Sequence, residues 1–371
     1  MTAHDPEKTS ARPMPLPFVS AGPIFTPGRV LPEAGRKLYK LSNNESPLGI
    51  GALAARAVVD VSGSQHLYPD PDGMVLAEAI CQVNDIDPGR VLVGPGSESI
   101  INWIVRGWAG IDDEVLYSEH GFQAYRIRAM SAGARPVAAP ETNLYADVDS
   151  LLAAVTERTR LVFVANPNNP TGTFITPTEL ARLLAGLRPD IMLIVDEAYY
   201  EYVATDEYQS FLEIVDDQAE NVMVLRTFSK FYGLAGLRVG WVYAPRFAID
   251  ALERIRGPYA VSGVALAAAE AAMRDQVHIS AAREHNDHWL NWTQEHLRAL
   301  GYETTDSVGN FVTLKIPGGV EAARVFDGKL RELGFVGRLA DQNGLPDWLR
   351  LTIGSAEAMQ ALIPAIASLT E

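Results

Sequence analysis

Short runs of apolar residues alternate with amphipathic runs along the middle of the chain, from about Val91 onward. Several of the apolar runs carry no polar alternation, which is typical of parallel strands buried on both faces. Helices are predicted by "SESIINWIVRGWAG", by "TPTELARLLAGL" with Thr176 as its cap, and by a run that begins at Phe122. Strands are predicted by "RVLVG", "DEVLYSE", "RLVFVAN", "IMLIVDEAYY", "NVMVLRTFS" and "VGWVYA". The pattern indicates an α/β fold with a largely parallel sheet.

The pattern of apolar and polar residues changes after about Pro258, where long helical runs replace the regular alternation of strands and helices. "VALAAAEAAMRD" and "VHISAAREHNDHWLNWTQEHLRALG" predict long helices, "NFVTLKI" and "LRLTI" predict strands, and a last helix is expected near Ala356–Leu369. We therefore predict three parts: an N-terminal arm over 1–39, a large domain over 40–257, and a smaller α+β domain over 258–371. The pattern assigns no regular element to the arm.

Composition excludes several classes of protein. The net charge is −15 and the sequence has no basic stripe, which argues against nucleic-acid binding. The sequence also contains no apolar run of 18 residues, so no membrane span is predicted. The N-terminus lacks the basic and apolar regions of a signal peptide. The single cysteine, Cys81, cannot form an internal disulfide, which fits a reducing compartment and an expected cytoplasmic location.

Polar residues follow several predicted strands, at the edge where open α/β sheets bind ligands. "GPGSES", which spans 94–99, opens a helix and is either a capped turn or an anion site built from backbone N–H groups. "ANPNNPTG", which spans 165–172, forms an irregular loop with amide donors. Asp196 ends an apolar strand and is either a helix cap or a charge kept for function, and it needs a cationic partner.

The stretch "RTFSKFYGLAGLRVGW" is predicted to be a strand end, a turn and another strand, with Lys230 in the turn. A lysine near buried strand ends is costly unless it is paired or neutral, so a nucleophilic amine is its most economical use. Arg238, Thr227 and Ser229 suit a phosphate dianion. Together with Asp196, these groups predict a site for pyridoxal phosphate and no metal.

At this point the chain resembles a known family. "NPNNPTG", "DEAY", "TFSKFYGLAGLRVG" and "WLRLTIG" resemble the fold-type-I, pyridoxal-phosphate-dependent aminotransferases, and "KLSNNESPLG", "YPDPDG" and "VGNFV" narrow the resemblance to the histidinol-phosphate aminotransferase family. The resemblance covers the chain from roughly Ile24 to its end. It implies a large three-layer α/β/α domain, a smaller α+β domain, and a homodimer with shared active sites.

The resemblance also implies roles around the cofactor. Lys230 would link to the cofactor and move the substrate proton, Asp196 would pair with the ring nitrogen, and Tyr199 would hydrogen-bond the ring oxygen. Tyr68 would reach the phosphate of the neighbouring subunit's cofactor. The other residues that the resemblance places around the ring or its phosphate are Gly96, Ser97, Glu98, Phe122, Asn169, Thr227, Ser229 and Arg238.

On the substrate side the resemblance implies that Arg350, and Arg338 upstream of it, grip the anionic end of the substrate. A surface ion pair is the alternative for each. Asn44 lies in the "NNESPLG" motif, and His120 at a predicted strand end could also touch substrate. Phe25 stands where the family usually has a tyrosine that helps to bind substrate phosphate. The departures from the family pattern fall near the substrate rather than near the cofactor.

We expect ping-pong transamination between histidinol phosphate and 2-oxoglutarate, with a small-molecule amino donor and a 2-oxo acid acceptor. The nearest alternative is an aromatic or other amino-acid aminotransferase, which the phenylalanine at position 25 favours. Further alternatives are a related decarboxylase or oxidase, and a regulator that only binds the cofactor. His285 and His288 are three residues apart on a predicted helix, but a solvated polar face explains them better than a metal site.

Overall fold

A computed structural model describes residues 15–23, 37–214 and 219–369 of the chain. The strands are β1 (Tyr39–Lys40), β2 (Val91–Gly94), β3 (Glu114–Ser118), β4 (Arg135–Ala139), β5 (Glu141–Thr142), β6 (Tyr145–Ala146), β7 (Thr159–Ala165), β8 (Met192–Asp196), β9 (Val222–Thr227), β10 (Gly240–Tyr243), β11 (Phe311–Lys315), β12 (Phe335–Val336), β13 (Arg338–Ala340) and β14 (Leu345–Thr352). The helices are α1 (Pro17–Ala21), α2 (Ala52–Asp60), α3 (Met74–Asn84), α4 (Ser97–Trp108), α5 (Ala124–Ser131), α6 (Val148–Ala153), α7 (Pro177–Gly186), α8 (Phe211–Ile214), α9 (Arg246–Ile255), α10 (Gly263–Arg274), α11 (Gln276–Ala299), α12 (Gly319–Glu332) and α13 (Ala356–Ala367).

The large sheet has seven strands in the order β2-β10-β9-β8-β7-β3-β4. β10 is antiparallel to both of its neighbours, and the other pairs are parallel. Alternate residues of β8 enter two separate apolar clusters, with Leu193 and Val195 on one face and Met192 and Ile194 on the other. Helices therefore cover both faces, and the predicted α/β/α architecture is confirmed.

Local signals account for many of the helix starts. The Thr176 hydroxyl accepts a hydrogen bond from the backbone N–H of Glu179, as the predicted cap requires, and Pro177 follows at the first helical position. Ser262 and Ser355 cap α10 and α13 in the same way. The helix predicted from Phe122 begins at Ala124. β4 was not predicted, because it is an edge strand that contains Pro136 and exposes much of its length.

A second sheet has three antiparallel strands in the order β11-β14-β13, and it packs in a separate apolar cluster with α11, α12 and α13. β1 pairs in parallel with β12, so a segment near the start of the chain joins elements near its end. The predicted boundary at 257/258 stays a prediction. Helix α10 follows that boundary, and its alanines belong to the same cluster as the large sheet.

The carboxyl ends of β2, β7, β8 and β9 lie at one edge of the large sheet, because these strands run in the same direction. Each of these strands is followed by one of the polar segments that the sequence marked. Of the helices that the structure describes, none combines the length and apolar content that crossing a bilayer needs.

Candidate active site

The strand ends line a cavity that opens to solvent, with about 680 Å³ of empty space counted to its open side. Most of the residues predicted to surround the cofactor contribute to it. The lining consists of Ser97, Glu98, Phe122, Ala165, Pro167, Asn169, Asp196, Ala198, Tyr199, Thr227, Ser229, Lys230 and Arg238. We call this space the first cavity. The fold thus brings residues from 97 to 238 into one site, as expected for the edge of an open α/β sheet.

Asp196 lies at the inner wall of the first cavity with only 4% of its surface exposed. Its carboxylate accepts hydrogen bonds from the Tyr125 hydroxyl at 2.9 Å and from the Ala198 N–H at 3.2 Å. Burial raises the pKa of Asp196 to about 6, against the opposing effect of these hydrogen bonds. No ion pair among the described residues involves Asp196, although the positive charge of Lys230 also acts to lower its pKa. A protonated ring nitrogen is the partner that this carboxylate lacks.

Lys230 lies opposite, in the turn that follows β9. Its Nζ donates to the carbonyl oxygen of Asn43 at 2.9 Å. Desolvation and, after it, the positive charge of Arg350 lower the pKa of Lys230 to about 7. A substantial fraction of the amine is therefore neutral near pH 7, which is the form that acts as a nucleophile or base.

Backbone and side-chain donors form an anion cradle at the start of α4. Gly96 has φ +87, and a Cβ built on it would lie 2.5 Å from a guanidinium nitrogen of Arg238. Only glycine lets the arginine approach this closely. Arg238 also donates to the Ser229 hydroxyl at 3.0 Å, and Ser97 begins the helix beside it. Backbone N–H groups at a helix start and a fixed guanidinium suit a phosphate dianion.

The remaining predicted cofactor residues occupy different positions around this cradle. Thr227 ends β9, and its hydroxyl accepts from the N–H of Ser229 at 3.1 Å. Phe122 stands edge-on to Tyr125, with ring centroids 5.8 Å apart and an interplanar angle of 88°. The side chain of Glu98 forms an ion pair with Arg128, which leaves its backbone N–H as the group available to the cradle.

A second cavity opens next to the first. Its lining is Asn43, Asn44, Phe122, Gln123, Asn169, Tyr199, Lys230, Arg338, Asn343 and Arg350. Phe122, Asn169, Tyr199 and Lys230 belong to both linings. Lys230 is therefore at the junction, where its amine can reach a group held in either space.

Arg350 is fixed at the wall of the second cavity although it is only 7% exposed. Its guanidinium donates to the carbonyl oxygen of Ser42 at 2.6 Å and to the side-chain oxygen of Asn169. Its Nε is buried and has no hydrogen-bond partner among the described residues. Desolvation lowers the pKa of Arg350 to about 10, so the group stays charged at neutral pH without a carboxylate beside it. A buried, unneutralised guanidinium of this kind requires an anionic ligand.

Arg338 lies on β13 directly across from Arg350 on β14, because the two residues are register partners. Desolvation lowers the pKa of Arg338, against the opposing effect of the negative charge of Asp341, and the positive charge of Arg338 contributes to the lowered pKa of Arg350. Two cations at paired positions of adjacent strands repel each other unless an anion lies between them. The paired positions place two guanidinium groups on one wall of the second cavity, which suits an anionic ligand that contacts both.

Asn44 holds the hydroxyl of Tyr199 by a hydrogen bond. The Asn44 amide donates to that hydroxyl at 2.9 Å, and its oxygen accepts from Thr352 at 3.1 Å. Asn44 adopts a left-handed conformation with φ 55, which asparagine tolerates better than most residues. Burial raises the pKa of Tyr199, so its hydroxyl stays protonated and can act as a donor.

Three predicted residues lie elsewhere. Tyr68 is 82% exposed and stacks on Tyr259, with ring centroids 4.5 Å apart, away from both cavities. His120 lies behind the second cavity, where its Nδ1 is 2.7 Å from the carbonyl oxygen of Asn343. Phe25 lies outside the residues that the structure describes.

The structure adds residues that the sequence did not single out. Tyr125 supports Asp196, while Gln123 and Asn343 line the second cavity. Tyr125 is three residues after Phe122, about one helical turn further along the predicted helix. That spacing is the one signal in the sequence that could have identified Tyr125 as a site residue. Gln123 and Asn343 carry no such signal, because 219 intervening residues separate two polar side chains in unmarked loops.

Comparison with known proteins agrees with this geometry. Residues 36–366 match the family model for aminotransferase class I and II. The chain is 42% identical over 355 residues to the histidinol-phosphate aminotransferase of Rhodospirillum rubrum, with 95% of this chain and 96% of that protein covered. It is 45% identical over 331 residues to the protein of that name from Dinoroseobacter shibae, with 89% and 91% covered. The crystal structure of histidinol-phosphate aminotransferase from Sinorhizobium meliloti, in complex with pyridoxal-5'-phosphate, has a TM-score of 0.87 and 27% identity, with 97% and 99% covered.

Proposed function

The chain belongs to the aminotransferase class I and II family, with the fold-type-I architecture predicted from its sequence, and from this premise we propose that it transfers the amino group of histidinol phosphate to 2-oxoglutarate with pyridoxal phosphate as cofactor. The observation that carries the substrate assignment is the Arg338–Arg350 pair beside Lys230. Both the donor and the acceptor bring an anionic group that this pair can bind.

The first cavity fits the cofactor on the chain's own atoms. Asp196 forms no ion pair among the described residues, and the Gly96–Arg238 cradle presents hydrogen-bond donors, so one molecule with a basic ring nitrogen and a phosphate suits both. When bound, pyridoxal phosphate supplies an electron sink for the electron pair left on the substrate α-carbon as its C–H bond breaks. Asp196 would pair with the ring nitrogen and, as a carboxylate, hold that nitrogen in its protonated form.

Lys230 carries the proton in this reaction. Its amine stands where the two cavities meet, and its pKa of about 7 lets it take a proton from the α-carbon and return one at neutral pH. Tyr199 and Asn169 line both cavities and so restrict where the reacting carbon can lie between the two cavities. Because donor and acceptor use the same arginine pair, they occupy the second cavity in turn, which is the ping-pong order.

The assembly and location are further parts of the proposal. We place the enzyme in the cytoplasm as a homodimer in which Tyr68, exposed and stacked on Tyr259, reaches the phosphate of the neighbouring subunit's cofactor. An exposed tyrosine hydroxyl presented on a second ring is suited to such a contact. Mixed dimers of Tyr68→Phe and Lys230→Ala subunits test it, since one site in such a dimer would carry both defects and the other neither.

A half-reaction in the spectrophotometer tests the substrate. The holoenzyme is mixed separately with histidinol phosphate, phenylalanine, tyrosine and glutamate, and conversion of the bound cofactor to its aminated form is timed. Rapid conversion by histidinol phosphate, followed by recovery with 2-oxoglutarate, supports the proposal. Faster conversion by phenylalanine or tyrosine assigns the enzyme to aromatic amino acids instead.

A further inference from the structure

The second cavity contains carboxamide side chains of two kinds. Those of Asn44 and Asn169 are already engaged, with Tyr199 and Thr352 in one case and with Arg350 in the other. The side chain of Gln123 lines the cavity and has no hydrogen-bond partner among the described residues. A polar group held at a ligand cavity with unused donors and acceptors is available to the ligand.

Asn343 presents its oxygen in the same way. Its amide nitrogen donates to the carbonyl oxygen of Gly121 at 2.9 Å. Because a carbonyl oxygen only accepts, this contact fixes which end of the amide faces Gly121. The Asn343 Oδ1 therefore points away from that contact, and no donor among the described residues reaches it.

His120 holds the loop that carries Asn343. Its Nδ1 is 2.7 Å from the Asn343 carbonyl oxygen, so Nδ1 bears the proton and donates. The ring packs closely on the next residue, since a Cβ at Gly344, which has φ +78, would lie 3.4 Å from Nδ1. With the Asn343–Gly121 bond, this gives two reciprocal hydrogen bonds between the loop after β3 and the loop before β14.

We propose that Gln123 and Asn343 form a subsite that selects amino donors whose side chain ends in a hydrogen-bonding heteroaromatic ring, with His120 as a positioning residue. The inference rests on the proposed function and deepens it, because it assigns the ring end of the donor while the arginine pair takes the anionic end. A neutral imidazole has one N–H donor and one nitrogen acceptor. The oxygen of Asn343 and the amide of Gln123 complement that pair.

Ring selection follows from unpaired polar groups. A phenyl ring fills a similar space but would leave both carboxamides desolvated and unpaired, and such a mismatch costs more than a lost contact. We expect the half-reaction to favour imidazole over phenyl donors by about tenfold to a hundredfold.

Two matched pairs of donors separate this inference from the proposed function. Histidinol phosphate and the phosphate ester of phenylalaninol share the anion and differ in the ring, and histidine and phenylalanine form the corresponding carboxylate pair. Rates are measured at pH 8, about 1.5 units above the ordinary pKa of imidazole, so that the ring is neutral. Preference for phosphate over carboxylate tests the proposed function, whereas preference for imidazole over phenyl within either pair tests the subsite.

Variants locate the preference. Gln123→Leu and Asn343→Leu should each lower the imidazole-to-phenyl ratio of kcat/KM toward one. Gln342→Leu, on an exposed side chain in the same loop, should keep the wild-type ratio. Gln123 lies outside that loop, so a fall in Gln123→Leu alone supports the subsite even if Asn343→Leu disturbs the loop. A wild-type ratio near one, or a ratio unchanged in both cavity variants, overturns it.

His120 is tested by replacement. His120→Asn keeps a donor that can reach the Asn343 carbonyl, and His120→Leu does not. Leucine should raise KM for histidinol phosphate about tenfold with a smaller change in kcat, and asparagine should restore KM. Equal KM values in the two variants would remove the positioning role.

Discussion

The two cavities that meet at Lys230 are formed by different kinds of structural element. The first is formed by strand ends of one sheet and by the start of one helix, so the sheet itself fixes its groups. The second is formed where the segments 43–44, 122–123 and 338–350 converge on Asn169, Tyr199 and Lys230, which also line the first. The first can hold a constant cofactor rigidly, whereas the second can change its substrate through loop residues without disturbing the sheet.

Replacing Lys230 with alanine removes the residue that both cavities share, so it should have the largest effect. Loss of proton transfer should lower kcat at least about a thousandfold with any donor. The measurement is steady-state turnover with histidinol phosphate, with circular dichroism as the check that the variant folds. Turnover near the wild-type rate would show that the amine is not the proton carrier.

Replacing Arg350 with alanine should affect mainly the second cavity, although Arg350 also contacts Asn169, which lines both cavities. We expect kcat/KM to fall about a hundredfold or more for donor and acceptor alike, since a buried anion contact is lost, and Arg338→Ala should cost about tenfold. Cofactor affinity, measured by absorbance titration, should change little in both. Arg324→Ala, at an exposed ion pair with Glu321, is the matched control. A large loss of cofactor affinity in Arg350→Ala would contradict the separation of the two cavities.

Replacing Tyr125 with phenylalanine should affect the first cavity alone. The lost hydroxyl no longer lowers the pKa of Asp196, so the carboxylate should hold the ring nitrogen less well and cofactor affinity should fall up to about tenfold. Dissociation of the cofactor is followed by absorbance after dilution. Tyr117→Phe, at another buried tyrosine of the same face, should retain wild-type affinity. Equal affinities in the two variants would remove Tyr125 from the cofactor site.

The smallest effect concerns the stability of the cofactor-free protein. The Lys230 amine is protonated below about pH 7 in the folded state and below pH 10.5 in the unfolded chain. Below pH 7 both states hold the proton, and the folded state bears the full cost of a desolvated charge. That cost decreases as the pH rises from 7 toward 10.5. Lys230→Met should therefore raise Tm at pH 6.5 and raise it less at pH 9; the opposite trend would mean that the lysine is not desolvated.

The sequence indicated the first cavity far better than the second. Lys230, Asp196 and Arg238 lie in short motifs whose chemistry is local, and each falls at a predicted strand end, so the sheet geometry brings them together. Tyr125 was missed because its contact with Asp196 spans 71 residues and depends on the orientation of α5.

For the second cavity, sequence motifs indicated the two arginines but not the residues that they contact. The register of β13 with β14 pairs Arg338 with Arg350, and no pattern along the chain encodes that register. His120 was expected near the substrate, whereas the structure places it behind Asn343 as a support. The edge strand β4 was not predicted either. An edge position allows proline and exposed residues, so β4 does not show the continuous apolar run by which the buried strands were recognised.

The pairing of β1 with β12 has a consequence for the order in which the protein is completed on the ribosome. Tyr39 pairs with Phe335, and the carbonyl oxygen of Ser42 accepts from Arg350, so the segment 39–42 stays without these partners until the segment 335–350 has been synthesised. At about 5–20 residues per second, the 295 residues between Tyr39 and Phe335 take roughly 15–60 s to synthesise. All strands of the seven-stranded sheet are synthesised within that interval, whereas the second cavity cannot form before Arg350 has left the ribosome.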